Sequence, residues 1–435
     1  MRLGEPSMTS SDLGAFLSDR GALGVTTNAD YGNSISTGVV RGVLDGRLVA
    51  GVGANHPSPI SAFTDLIDLH LRGWAPPGAE VTADDEVDFY LAPRPGELET
   101  PAALRTLAAG VQGVRARVFL VRPDGTPQLL EAGPTDFSDA IQHNYTSWLG
   151  LLDDVPDEPP PLVTRLIVDT GIPALRAYPM LSSRGRSWSI RLEGLQVGEL
   201  RAKNGTLTVG EERPSARRSG KRQAWLNTAG PDPIPVTESS VGAAAQVLAR
   251  FAEEWPKAAD PIAPVQDEHA LESRILRGAA PLTPKAGRSL TLLNPRGNRT
   301  VTPDPVVNWG SQFPTRWGPR TGAARYLDGL LRDGSTPWAI EMKVRGGQGV
   351  GQYYRHAIHQ AVLYRQFIRT ATPLAPWFER QGLVQADCQA AVVTPEGQGR
   401  VAEQINRARR VAEAFGVELI TVEDRYAHLH PGDLG

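Results

Sequence analysis

The segment Asp153-Asp154-Val155-Pro156-Asp157-Glu158-Pro159-Pro160-Pro161 limits this chain more than any other, because it is the clearest linker in the sequence. Its prolines fix φ and remove backbone donors, and its acids repel one another, so it is an extended connector. A second break runs from Pro256 to Pro264, with prolines at 256, 261 and 264. At 435 residues the chain is too long for one ordinary core. The two breaks divide it into 1–152, 162–255 and 265–435. The pattern within those segments predicts a mixed α/β protein: an α+β accessory domain, a small β-rich domain, and a C-terminal domain in which helices and strands alternate.

Composition excludes several classes. Apolar residues make up 40% and charged residues 21%, the balance of an ordinary globular protein. No apolar run reaches the roughly 18 residues of a membrane span. Met1-Arg2-Leu3-Gly4-Glu5 lacks a signal core, so cytoplasmic residence with no membrane association is expected. One cysteine, Cys388, excludes an internal disulfide and a cysteine-rich metal site. The net charge of −3 hides an asymmetry: residues 1–160 carry 10 basic and 22 acidic side chains, residues 161–250 carry 13 and 7. Arg184, Arg186, Arg191, Arg213, Arg217, Arg218, Lys221 and Arg222 form a basic stripe that could follow a phosphate backbone.

In the first segment, Val39–Leu44, Asp45-Gly46 and Arg47–Ala50 spell a hairpin. Phe63, Ile67 and Leu71 recur at helical spacing, a further helix lies near 102–107, and 116–121 with 128–130 reads as a second hairpin. No cluster there has the spacing of a catalytic site. In the second segment, 188–192, 198–200 and 207–209 predict a small antiparallel sheet, followed by a helix over 240–255. In the third, the expected order is a helix over 266–277, strands at 289–293, 324–331 and 338–344, a long helix over 352–369, a strand at 389–393, a helix over 400–415 and a strand at 417–421.

Trp338-Ala339-Ile340-Glu341-Met342-Lys343-Val344 carries the chemistry. Strand period is two, so Glu341 and Lys343 share one face while Trp338, Ile340 and Met342 fill the other. The chain has only five lysines, and one of them stands here beside an acid in an apolar strand. The Asp333-Gly334 turn brings Asp328 across to Glu341. Two carboxylates this close repel unless a cation lies between them. Hard oxygen ligands suit Mg²⁺ or Mn²⁺. Glu272, on the upstream helix, is the candidate third acid. Gln360 and Tyr364, spaced i, i+4 on the long helix, share one face downstream. The loop Gly346-Gly347-Gln348-Gly349-Val350-Gly351, with Arg345 and Arg355 beside it, is read as a backbone approach to nucleic-acid phosphate, and His356 and His359 as polar-face or phosphate contacts.

These residues resemble the PD-(D/E)xK nuclease superfamily, the restriction-endonuclease-like fold, over roughly 265–425. The α-β-β-β-α-β order is that family's core, Asp328 and Glu341-Met342-Lys343 match its acid and E-x-K, and Glu272 matches the acid often found on its first helix. Gln360-Ala361-Val362-Leu363-Tyr364 is similar to the Q-x-x-x-Y motif of the RecB-like branch. Leu327 stands where the eponymous proline would be. A literal Pro303-Asp304 lies 37 residues before Glu341, with no simple hairpin between, and Asp304 is the alternative acid.

The resemblance implies a metal-dependent nuclease, DNA favoured, with Asp328, Glu341, Lys343, Glu272 and Gln360 catalytic and Asp328, Glu341 and Glu272 on the metal. It implies a nucleic-acid contact at Tyr364 and a setting in phage defence, restriction or repair; the glycine loop adds Arg345 and Arg355, and the basic stripe Arg217, Arg218, Lys221 and Arg222, as expected nucleic-acid contacts. The N-terminal half is then a candidate surface for a protein partner or a homodimer. Two other readings remain open: an inactive nucleic-acid-binding scaffold with this fold, and a nucleotide-binding enzyme using the glycine loop.

Overall fold

The computed structural model describes residues 8–27, 38–136, 159–182, 185–193, 195–201, 204–210, 225, 228, 232–258, 268–285, 287–292, 313–314, 326–344 and 354–427. The N-terminal segment contains α1 (Ser10–Asp19), β1 (Leu23–Thr26), β2 (Val39–Leu44), β3 (Arg47–Val52), α2 (Pro59–Leu71), β4 (Glu86–Leu91), α3 (Glu99–Gly110), β5 (Arg115–Val121) and β6 (Pro127–Leu130). Both expected hairpins and both expected helices are present, while α1, β1 and β4 are additions to the sequence reading. The β2–β3 turn is a two-residue loop in which Asp45 and Gly46 both have positive φ (50° and 75°), the geometry that Asp-Gly favours. The six strands lie in the order β1-β2-β3-β4-β5-β6. β1, β2 and β3 are antiparallel, β4 and β5 continue parallel to β3, and β6 returns antiparallel.

The middle segment contains α4 (Pro161–Thr170), β7 (Leu175–Ser182), β8 (Gly185–Leu192), β9 (Leu195–Arg201), β10 (Thr206–Val209), β11 (Ile234–Val236) and α5 (Val241–Ala258). Its five-stranded antiparallel meander packs against α4 and α5 through Leu166, Trp188, Leu248 and Phe251. The helix α5 runs through Pro256 to Ala258, past the first proline of the expected connector, and 259–264 lie outside the described residues. Near a helix end a proline removes one backbone bond without ending the helix.

The C-terminal segment contains α6 (Glu268–Leu276), β12 (Thr291–Leu292), β13 (Phe313–Pro314), β14 (Tyr326–Leu327), β15 (Gly329–Asp333), β16 (Thr336–Met342), α7 (Tyr354–Thr370), α8 (Ala375–Arg380), β17 (Gln389–Pro395), α9 (Arg400–Ala414) and β18 (Glu418–Val422). The expected alternation holds, with two corrections. The strand expected over 289–293 is only two residues long, and the strand expected over 324–331 is split at Asp328, its first part pairing with β13 instead of β12. The main sheet is β12-β15-β16-β17-β18, antiparallel from β12 to β16 and parallel from β16 to β18.

The whole is mixed α/β, with no closed barrel among the described residues. No described helix is long and apolar enough to cross a membrane. The first and last sheets share a helical layer. One apolar cluster joins Phe63, Leu66 and Leu107 of α2 and α3 to Ile358, Leu363 and Phe367 of α7 and Ala408 and Val411 of α9. The outer faces are covered separately, by α1 through Leu13 and Leu17 and by α6 through Leu271 and Ile275.

A helix buried on more than one face must satisfy whatever polar side chains it carries. Asp65 of α2, 2% exposed, accepts from Arg355 Nε at 2.5 Å and bonds His356 Nε2 at 3.0 Å. Thr64 Oγ1 meets His359 Nδ1 at 3.3 Å, and Asp68 accepts from Arg407 at 2.5 Å. Burial alone would raise the Asp65 pKa, but Arg355 and His356 outweigh it and hold the carboxyl far below the usual range.

A depressed folded-state pKa means that the stability tied to Asp65 is complete above the unfolded value of about 3.9 and is lost only as pH falls through the folded value, in strong acid. Asp65→Ala at pH 7 is expected to cost about 3–5 kcal/mol by leaving the buried Arg355 guanidinium without its carboxylate. Urea midpoints check this, with Glu413→Ala, on the exposed Lys285–Glu413 pair, as a control expected to change by under about 0.5 kcal/mol.

Candidate functional site

The β15–β16 hairpin builds the site. Its turn places Gly334 first in a two-residue loop at φ 57°, and its register runs from Asp333↔Thr336 to Gly329↔Ile340. One step further lies Asp328 opposite Glu341, as the sequence spacing requires. Asp328 occupies the bend between β14 and β15, where its Oδ2 accepts from the Met342 backbone N–H at 2.8 Å. That bond is available because the strand ladder has stopped at Gly329. The even positions Trp338, Ile340, Met342 and Val344 pack with Leu271 and Ile275 of α6, and Ala339 lies in the core shared with α7. Glu341 (2% exposed) and Lys343 (8%) therefore project together.

The ammonium of Lys343 is the centre of the cluster. Its Nζ donates to Glu341 Oε1 at 2.7 Å and to the Met342 carbonyl at 2.7 Å, and lies 3.4 Å from Glu268 Oε1. Its backbone N–H bonds the Val393 carbonyl of β17, which fixes the strand end. Burial works against the charged lysine, but Glu341, Asp328 and Glu268 outweigh it and lift its pKa above the ordinary value. Asp328 is pushed the other way for a carboxylic acid: burial first, then the Glu341 charge, raise its pKa well above normal despite Lys343, with Glu268 and Glu272 adding to the effect.

Glu268 is the residue the sequence reading missed. It precedes Glu272 by one helical turn on α6, so both share a face, and the spacing signal fits either. Glu268 reaches Lys343, whereas Glu272 bonds His269 Nδ1 at 3.2 Å and lies 3.9 Å from Arg191 Nη1 of β8. Arg191, expected in an exposed basic stripe, is thus turned inward against α6. Beside it, the fully buried Glu193 accepts from Arg274 of the same helix and from Arg277 just past its end, at 3.0 and 2.6 Å. The middle sheet is thereby docked onto the helix that carries Glu268.

Other expected residues are placed differently. Arg355 (7% exposed) is not a phosphate contact: its guanidinium is committed to Asp65 between α2 and α7. His356 and His359 are buried at the same layer contact. Tyr364, expected against nucleic acid, is buried in the shared core, because α7 is covered by α2 and α3 on the side that the sequence leaves polar. Gln360 remains partly exposed one turn before it. Arg345, Arg217, Arg218, Lys221, Arg222, Asp304 and the glycine loop 346–351 lie outside the described residues.

Among the described residues, no three His, Cys, Asp or Glu side chains already form a metal cage. What the site offers is a buried ammonium among the oxygens of Glu341, Glu268 and Met342, with a proton-hungry Asp328 across the strand. No protein-family model, curated protein or solved structure matches the chain.

The raised Asp328 pKa gives a prediction with a definite sign. Above that pKa the ionised carboxylate is penalised in the folded state, so Asp328→Asn, which keeps an acceptor for Met342 N–H, is expected to stabilise the chain at neutral pH. The gain shrinks as pH falls from the raised pKa towards the unfolded value of about 3.9, below which the parent carboxyl is neutral in both states. Thermal midpoints of parent and variant between pH 5 and pH 8 read this directly; an unchanged or lower midpoint at pH 8 counts against the crowding of Asp328 and Glu341.

Proposed function

We propose that the chain is a Mg²⁺- or Mn²⁺-dependent nuclease that hydrolyses phosphodiester bonds, DNA favoured, at the Asp328–Glu341–Lys343 cluster. The observation that carries the reading is the pairing of Asp328 with Glu341 across a hairpin, where burial first and then the Glu341 charge raise the Asp328 pKa even with Lys343 beside them. A hard divalent cation relieves that repulsion. The donors are of the hard type such an ion takes, the carboxylates of Asp328, Glu341 and Glu268, and Lys343 would have to leave Glu341 and Glu268 to admit it. Asp328 and Glu341 would hold the ion, with Glu268 in the role expected of Glu272.

When bound, the metal would supply a water of lowered pKa and offset charge on the phosphoryl group. Lys343, released from its carboxylates, then has an ammonium free to orient the attacking water or to bond a phosphate oxygen. Gln360, partly exposed on α7, would be the side chain that meets substrate. The order of helix, three antiparallel strands, helix and parallel strand supports the PD-(D/E)xK resemblance, although fold by itself does not fix function. Phage defence, restriction or repair is the proposed setting, by analogy with that family.

One observation favours a second reading, an inactive nucleic-acid-binding scaffold: Lys343 already fills the oxygen set. The purified chain is expected to cut plasmid or oligonucleotide DNA with Mg²⁺ or Mn²⁺ and to stop with chelator. Glu341→Gln and Lys343→Met, each close in volume to the parent residue, are expected to lower cleavage by about 100-fold or more. Folded variants that cut as fast as the parent sink the assignment. DNA binding with no metal-dependent heat or cleavage favours the scaffold.

A further inference from the structure

The N-terminal segment has no part in the proposed chemistry, yet it repeats the architecture that holds it. Helix, three antiparallel strands, helix, parallel strand, helix, parallel strand describes α1 to β5 and, setting aside the short β13, β14 and α8, equally α6 to β18. The neighbours in the two sheets correspond one for one: β1-β2-β3-β4-β5 against β12-β15-β16-β17-β18, with the same change from antiparallel to parallel after the third strand. The layers correspond as well. The first helix of each unit covers the outer face of its sheet, and the second and third cover the inner face.

The inner layers meet as a two-fold pair. Under this correspondence α2 matches α7 and α3 matches α9. The packed pairs are α2 with α7, α2 with α9 and α3 with α7. The first pairs an element with its own counterpart, and the other two exchange under the same operation. That is the pattern of an isologous interface, here formed within one chain.

Both hairpins have two-residue turns, closed by Leu44↔Arg47 and by Asp333↔Thr336, which fixes the count along each strand. Counting outward, Asp328 corresponds to Val39, Glu341 to Val52 and Lys343 to Ala54. Val39 and Val52 are paired in register and buried in the shared core. The scaffold is kept and its charged residues are replaced by apolar ones.

We infer that the chain is a two-fold nuclease architecture in cis with one hydrolytic centre, so that a single chain cleaves one strand of a duplex per engagement. The inference rests on the nuclease reading above. The strands of a duplex are antiparallel and related by dyads, so an assembly with two equivalent centres can serve both, and one with a single centre serves one. The inner face of the N-terminal unit is filled by α7 and α9, so that face is closed to a second chain.

The test is a time course on supercoiled plasmid with Mn²⁺, at several protein concentrations, with tight Mn²⁺ binding followed by electron paramagnetic resonance. Nicked circle as the first product at a rate first order in protein, with the Asp328→Asn/Glu341→Gln double variant losing both cleavage and tight Mn²⁺, supports the inference. Linear DNA formed directly at a rate second order in protein also supports it, since two chains then supply two centres. Linear DNA formed directly at a rate first order in protein overturns it, as does tight Mn²⁺ or cleavage that survives the double variant. A double variant that has lost activity alongside a parent that makes direct, first-order cuts leaves the nuclease reading standing. A parent with neither cleavage nor Mn²⁺ binding removes that reading and the inference with it.

Discussion

Acid crowding around one ammonium is the constraint on which the C-terminal unit depends. Asp328, Glu341 and Glu268 surround Lys343 at the end of β16, largely out of water, where charges are tolerated only if each has a partner. Several parts of the fold serve that cluster. The hairpin register brings the acids together, and the strand break at Asp328 frees its carboxylate for the Met342 N–H. The first turn of α6 brings Glu268, and β17 anchors the Lys343 backbone. The stress that remains falls on Asp328.

The helical layer is the second organising element. Four helices, two from each end of the chain, are sandwiched between two sheets that share five strands of the same order and direction. This explains why α7 carries buried Arg355, His356 and His359: they face Asp65 and Thr64 of α2 and not solvent. The middle unit attaches elsewhere, through Arg191 and Glu193 against α6. One helix thus has the proposed site at its first turn and the middle sheet against its later turns.

Local patterns were legible in the sequence and long-range ones were not. Strand alternation placed Glu341 and Lys343 on one face, and the turn placed Asp328 opposite, since both are matters of a few residues. The choice between Glu268 and Glu272 was not legible, because residues four apart occupy one helix face and only the approach of β16 and β8 separates them. Arg355 could not be read as buried, since its partner is 290 residues away and an amphipathic pattern does not reveal a second layer of protein. The repeated architecture left no trace in motifs: Val39, Val52 and Ala54 are ordinary residues, and the likeness lies in strand direction and order.

The shared layer also has a consequence for how the chain is made. Asp65 and Arg355 are separated by 290 residues, which a ribosome adding about 5–20 residues per second takes roughly 15–60 s to synthesise. For the later part of that interval, after β6 ends at Leu130, the N-terminal unit is complete in sequence while the faces of α2 and α3 that α7 and α9 will cover are still open to water. Asp65 and Asp68 give that surface negative charge while it waits. The N-terminal segment also has an excess of acidic over basic residues, 22 to 10 in its first 160 residues, which disfavours self-association of nascent chains. The acids that bind Arg355 and Arg407 in the finished protein thus also act as solubilising groups for the unfinished one.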